Sequence, residues 1–149
     1  MIDPNSHKQT RYTAMNYLAR REHSNLELKN KLILKGFLVD VVDEVLAKLQ
    51  IDKLLSDARF AESYIRSRVN KGFGPVRIRQ ELQQRGIASE LVTELINSND
   101  DFWLTNIQQA YKKRFGSTLP KNKQELAKQI RFLQAKGFTG EQIKTVIKF

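Results

Sequence analysis

Apolar side chains recur at intervals of three and four residues along most of this chain, and the runs break off at glycines. Ala14, Leu18 and Arg21 fall at i, i+4 and i+7, which predicts a helix over about Arg11 to Glu22. Ser24 opens a second helix, because Glu27 three residues on completes a capping box in which hydroxyl and carboxylate satisfy free N–H groups. Leu28 and Leu32 supply its buried side, Gly36 ends it, and Phe37 anchors the turn. A third helix over about Asp40 to Gln50 buries Val42, Val45, Leu46 and Leu49. Strict alternation of the kind a half-buried sheet needs is missing throughout, so the fold class is all-α.

The same pattern then returns twice. Leu32, three residues, then Gly36-Phe37 becomes Leu82 with Gly86-Ile87, and later Leu133 with Gly137-Phe138, at spacings of 50 and 51 residues. Beyond each glycine the apolar offsets repeat: Val42, Val45, Leu46; Val92, Leu95, Ile96; Ile143, Val146, Ile147. Upstream, Ala14, Leu18 and Arg21 match Ala61, Ile65 and Arg68, then Ile107, Tyr111 and Arg114. The expected organisation is a flexible tail over 1–10 and three tandem three-helix repeats over 11–51, 52–98 and 99–149. A repeat this small buries little surface alone, so neighbours should stack into an elongated array. Asp52 to Ser56 and Asn97 to Asp101 are the connections between repeats, the second being the better hinge. The loop from Gly116 to Asn122, with Pro120, divides the first two helices of repeat three.

Composition adds a direction. Of 149 residues, 26 are Lys or Arg and 16 are Asp or Glu, and the net charge of +10 favours polyanionic partners. No run is long and apolar enough for a membrane span, and the first ten residues hold no export signal, so a cytoplasmic protein without membrane contact is expected. With no cysteine, disulfides are excluded; with only His7 and His23, zinc sites built on Cys or paired His are not expected, nor is any cofactor.

The charge is concentrated in two tracts. The stretch from Asp57 to Gly86, DARFAESYIRSRVNKGFGPVRIRQELQQRG, places a helix with Ala58, Ala61, Ile65 and Val69 ahead of Gly72 and Gly74, and starts the next at Pro75. From Arg66 onward, Arg66, Arg68, Lys71, Arg77, Arg79 and Arg85 face one acid, Glu81. The second tract, Tyr111 to Lys136, holds Lys112, Lys113, Arg114, Lys121, Lys123, Lys128, Arg131 and Lys136 against Glu125. Contact candidates are Arg66, Lys71, Arg77, Arg79, Arg85, Lys112, Lys113, Lys128 and Arg131. Arg77 and Arg79 flank the Ile78/Leu82 stripe on opposite sides and are read as lacking an ion-pair partner, whereas Glu62 offers Arg66 a surface pair. Arg21, Arg68 and Arg114 follow the apolar stripe at the end of their helices and read as structural arginines lying on the core. The plain alternative for both tracts is a solvated basic surface. The aromatics read mostly as core, with Phe73, between two glycines, the candidate for stacking on bases.

Other functions fit less well. A helix-turn-helix over Gln80 to Leu95 would bring Glu90 and Glu94 against phosphates. Asp40, Asp43 and Glu44, or Asp100 and Asp101, have the chemistry for Mg²⁺, but Asp40 and the Asp100-Asp101 pair read better as helix caps. No phosphate-cradling Gly-rich motif ending in Lys-Ser/Thr is present, and no enzyme is expected.

The run D-x-R-F-A-x-x-Y-I-R-S-R, then K-G-x-G-P-x-R-I-R-Q-E-L, then R-G-I, resembles the centre of the RecX family, regulators of the RecA recombinase. The similarity extends from about residue 11 to 148, strongest over 57–86 and good around Arg20 to Ser24 with Glu27-Leu28. The resemblance implies an extended, curved array of three-helix repeats in the groove of the RecA–DNA filament, and a monomer is expected. It implies inhibition of recombinase, ATPase and co-protease activities, with RecA and the filament as partners; weak sequence-independent DNA binding is expected from the basic tracts themselves. A general nucleic-acid binder acting without RecA is the rival reading.

Overall fold

In the computed structural model, which describes residues 1–97 and 100–148, those residues form helices joined by turns, with no strand among them. The helices are α1 His7–Arg20, α2 Asn25–Lys35, α3 Val39–Ile51, α4 Asp57–Asn70, α5 Pro75–Gln84, α6 Ser89–Asn97, α7 Asp100–Phe115, α8 Lys123–Lys136 and α9 Gly140–Val146. The positions on either side of each repeat's glycine are matched in burial. Leu32, Leu82 and Leu133 are each 0 % exposed, and Phe37, Ile87 and Phe138 are buried beside their glycines. The helices nonetheless gather into two compact units: residues 1–63 with 84–88, and residues 64–83 with 89–149. A three-helix repeat buries too little surface to stand alone, and the middle repeat is divided between the two units.

In the first unit α1, α2 and α3 enclose Ala14, Leu28, Leu32, Phe37, Val42, Leu46 and Leu49. The capping box of α2 forms as its sequence requires, with Glu27 N–H donating to Ser24 Oγ at 3.1 Å and Ser24 N–H to Glu27 Oε1 at 3.1 Å. Two details depart from expectation. α1 begins at His7, inside the segment read as a tail, because Ser6 Oγ accepts from Gln9 N–H at 3.0 Å. The residues before it are tied as well, since Leu38 N–H donates to Pro4 O at 3.1 Å. Asp40 does not cap α3; Leu38 holds that position without a side-chain cap, and Asp40 sits in the first turn, where a carboxylate still meets the positive end of the dipole.

In the second unit Ile107, Ala110, Tyr111, Leu133, Phe138, Ile143 and Ile147 form one core. Gln129 stands where Leu28 and Ile78 stand in the earlier repeats, and is buried because its Oε1 accepts from Tyr111 Oη–H at 2.8 Å. Trp103 is buried too, with its indole N–H donating to Ile96 O at 2.6 Å. The start of α5 packs on the end of α8. Gly74 N–H donates to Lys136 O at 2.7 Å and Val76 N–H to Gly137 O at 2.9 Å. Free amides at one helix start thus meet free carbonyls at another helix end, two bonds worth roughly 1 kcal/mol each. Only glycines allow it: a Cβ on Gly74 would lie 2.7 Å from the Gly137 backbone, and one on Gly137 would lie 2.6 Å from Arg77 N. Gly74, expected to help stop α4, is therefore required by this contact. Ser98 and Asn99, the centre of the expected hinge and the position that would cap α7, lie outside the described residues.

Candidate functional site

Phe73 is the hub of the basic corner. Its half-buried ring has the Arg68 guanidinium carbon 3.8 Å from its centroid, that of Arg77 at 4.3 Å, and Lys136 Nζ at 4.3 Å. The ring is already engaged by three cations and is not the free stacking platform expected between its glycines. Glu81 balances the cluster from α5. Its Oε1 accepts from Arg68 Nε at 2.9 Å and Tyr64 Oη at 3.1 Å, and its Oε2 from Arg68 Nη2 at 2.8 Å and Arg77 Nε at 3.5 Å. Burial alone would raise the Glu81 pKa, but the bonds from Arg68, Tyr64 and Arg77 outweigh it and hold the carboxyl below its ordinary value. The Arg68–Glu81 fork is bidentate, with each side chain less than one-fifth exposed.

The expected contact residues separate on this frame. Arg77, read as unpartnered, is occupied: besides Glu81 and Phe73 it donates through Nη1 to Ala135 O at 3.2 Å. Arg79 donates to Thr93 Oγ1 at 3.2 Å and to Asn97 Oδ1 at 3.0 Å, neutral groups that leave its charge uncompensated. Arg66 is exposed, and the surface pair expected with Glu62 does not form within 4 Å. Lys71, Lys112, Lys113, Lys128 and Arg131 are exposed, and Arg85 lies half-buried in the first unit. Lys71 and Lys113 come together at one cleft of about 350 Å³, which Arg114, Lys136, Phe132, Gly72 and Ala110 also line.

The three repeat-related arginines are not equivalent. Arg21 donates to Glu22 O at 2.8 Å and pairs with Glu27 at 3.2 Å. Arg68 is locked by Glu81 and Phe73. Arg114 is exposed over the Phe115 and Phe132 rings, 5.4 Å from each centroid, and faces the cleft. Sequence reasoning missed Lys136 as a partner of Phe73, since they are 63 residues apart; the available signal was a lone acid, Glu81, among six cations.

Helices grouped three to a repeat, with no strand among the described residues, define a class of all-α repeat proteins. Three domain models match in order: RecX first three-helix domain at 11–49, second at 56–96 and third at 100–147. The chain belongs to the RecX family of regulatory proteins. It is 42 % identical to the regulatory protein RecX of Halorhodospira halophila over 90 % of this chain and 83 % of that one. It is 38 % identical to that of Pseudomonas entomophila over 89 % and 86 %. The crystal structure of RecX from Lactobacillus salivarius superposes with a TM-score of 0.77 at 25 % identity, covering 94 % of this chain and 93 % of that one.

Proposed function

We propose that this chain is a non-catalytic regulator of RecA that lodges in the groove of the RecA–DNA filament. There it inhibits recombinase, ATPase and co-protease activities by blocking filament growth or favouring disassembly, and it hydrolyses nothing itself. It acts where RecA and DNA are, in the cytoplasm. Membership of the RecX family supports a regulatory role. The observation that carries the polyanionic partner is the uneven charge of the second unit, which holds 15 Lys and Arg against 7 Asp and Glu. The two ion pairs described there both end on Glu81, so exposed cations such as Arg66, Lys71, Lys113, Lys128 and Arg131 remain available. Attraction of this kind is sequence-independent and weakens steeply with salt.

The test is RecA's DNA-dependent ATPase at low salt with this protein added in stoichiometric amount. Turnover should fall, and the effect should fade as salt rises. Unchanged turnover overturns the proposal. Sedimentation with bare and RecA-coated DNA decides the rival reading: a preference for the coated form is expected, and equal binding identifies a general nucleic-acid binder.

A further inference from the structure

Three helix ends meet around the cleft in the second unit. Lys71 follows the last residue of α4, Lys113 and Arg114 lie in the last turn of α7, and Lys136 closes α8. Basic residues at helix ends have an ordinary purpose, which is to offset the partial negative charge of unpaired carbonyls. The magnitudes show that this purpose is exceeded. Each helix end contributes roughly −0.5, so three supply about −1.5 against four full charges, leaving about +2.5 around one cavity. No carboxylate lines the cleft, and the nearby Glu81 is committed to Arg68 and Arg77. Gathered at one cleft, these like charges repel one another, a cost that accrues without a local anion. These cations come from three separate helices, so helical spacing alone does not explain their convergence. Phe132, half-buried between Arg114 and Lys136, adds an apolar wall.

We infer that this cleft seats a phosphate group, presented by a nucleic-acid backbone or by a free nucleotide. The inference rests on the polyanion-binding reading above and gives it a location. Three donor-rich side chains with flexible stems and one guanidinium supply the hydrogen bonds that phosphate oxygens accept. Glu125, the acid of the same basic tract, is turned away to accept from Lys121 N–H and does not line the cleft.

The experiment omits RecA. The full chain is titrated at low salt with tripolyphosphate and, separately, with a short fluorescent oligothymidylate. Wild type is compared with Lys71→Gln/Lys113→Gln in the cleft and with Lys121→Gln/Lys123→Gln, exposed and outside its lining, two variants that remove the same charge. The cleft variant should bind at least ~10-fold more weakly and the outside variant only about 2-fold. Cleft-dependent binding of tripolyphosphate identifies a nucleotide-like ligand. Cleft-dependent binding of oligothymidylate alone identifies the backbone. Equal weakening by both variants means a diffuse field and overturns the seat, as does wild type that binds neither probe. Trp103 fluorescence, from the only tryptophan, checks that each variant is folded. Because RecA is absent, these outcomes are independent of the ATPase test, and either reading can fail without the other.

Discussion

The two compact units are built from the same repeat but spend their charges differently. In the first, 11 basic and 9 acidic residues are interleaved, and five Lys or Arg ion pairs are described, among them Arg11–Asp52, Arg21–Glu27, Lys29–Asp43 and Arg59–Glu22. In the second, 15 basic residues meet 7 acidic ones, and Glu81 receives both described pairs. One unit disperses its electrostatics over exposed pairs worth little individually, while the other gathers them onto a single enclosed carboxylate. Loss of one acid should therefore be minor in the first unit and severe in the second.

Glu81→Gln gives that contrast its largest expected effect. Arg68, only 18 % exposed, would be left beside Arg77 and Lys136 without a counter-charge, and breaking such an enclosed pair costs about 3 kcal/mol or more. Asp43→Asn in the first unit removes an exposed partner of Lys29 and should cost under about 1 kcal/mol. Urea unfolding read by Trp103 fluorescence and by circular dichroism measures both. Similar losses for the two would break the comparison.

Glycines sharpen it next. Gly36 and Gly137 both end a second helix with positive φ, +109° and +101°, where a side chain costs about 1 kcal/mol. Around Gly36 a new Cβ meets nothing within 4 Å, whereas at Gly137 it meets Arg77 backbone, which cannot yield as a side-chain tip can. Gly36→Ala should lose about 1 kcal/mol and Gly137→Ala about 3, the added cost being overpacking against α5. Equal losses would show that the α5–α8 contact adjusts freely.

These glycines mark what the sequence did and did not disclose. The period of about fifty residues, the capping box at Ser24, the loop at 116–122 and the buried positions Leu32, Leu82 and Leu133 were legible because they follow from local periodicity and cap chemistry. The need for Gly74 was not, since its reason is the backbone at Gly137, 63 residues away. Arg77 and Arg79 are a different case: Glu81, four residues after Arg77 in α5, was a local signal that separates them and was not used. The structure adds what local spacing could not show, a carbonyl on α8 for Arg77 and two neutral side chains on α6 for Arg79.

Acid should reach the first unit before the second. His23 is 1 % exposed, its Nδ1–H donates to Arg21 O at 3.0 Å, and its Nε2 must accept from the Lys31 ammonium at 2.8 Å. Burial, with the charges of Arg21 and Lys31, holds its pKa below 6.5 despite the Arg21 carbonyl. The unfolded chain therefore takes up the proton first: stability is complete above about 6.5 and falls as pH drops toward the folded value, by at most about 1.4 kcal/mol per pH unit. Glu81, whose folded pKa is lowered, keeps its contribution above 4.5 and loses it only as pH falls from there through the folded value. Hydrogen exchange in α2 should quicken between pH 6.5 and 5 while Trp103 fluorescence holds, and His23→Gln should flatten that response. Simultaneous loss at both sites would contradict the separation.

The smallest effect concerns turns. In the second unit every described residue with positive φ is a glycine, but the first unit holds Lys53 at φ 62°, just after α3. A side chain in that region costs roughly 1–2 kcal/mol, and glycine would relieve it while adding about 0.5–1 kcal/mol of unfolded-chain entropy. Lys53 N–H donates to Gln50 O at 3.0 Å and Leu54 N–H to Leu49 O at 2.9 Å, bonds that a glycine retains. Lys53→Gly should therefore stabilise by about 0.5 kcal/mol, seen as a slightly higher urea midpoint with an unchanged slope. A loss of stability instead would mean that the Lys53 side chain contributes more than its backbone strain removes, and that the first unit, too, relies on a cation without a described acidic partner.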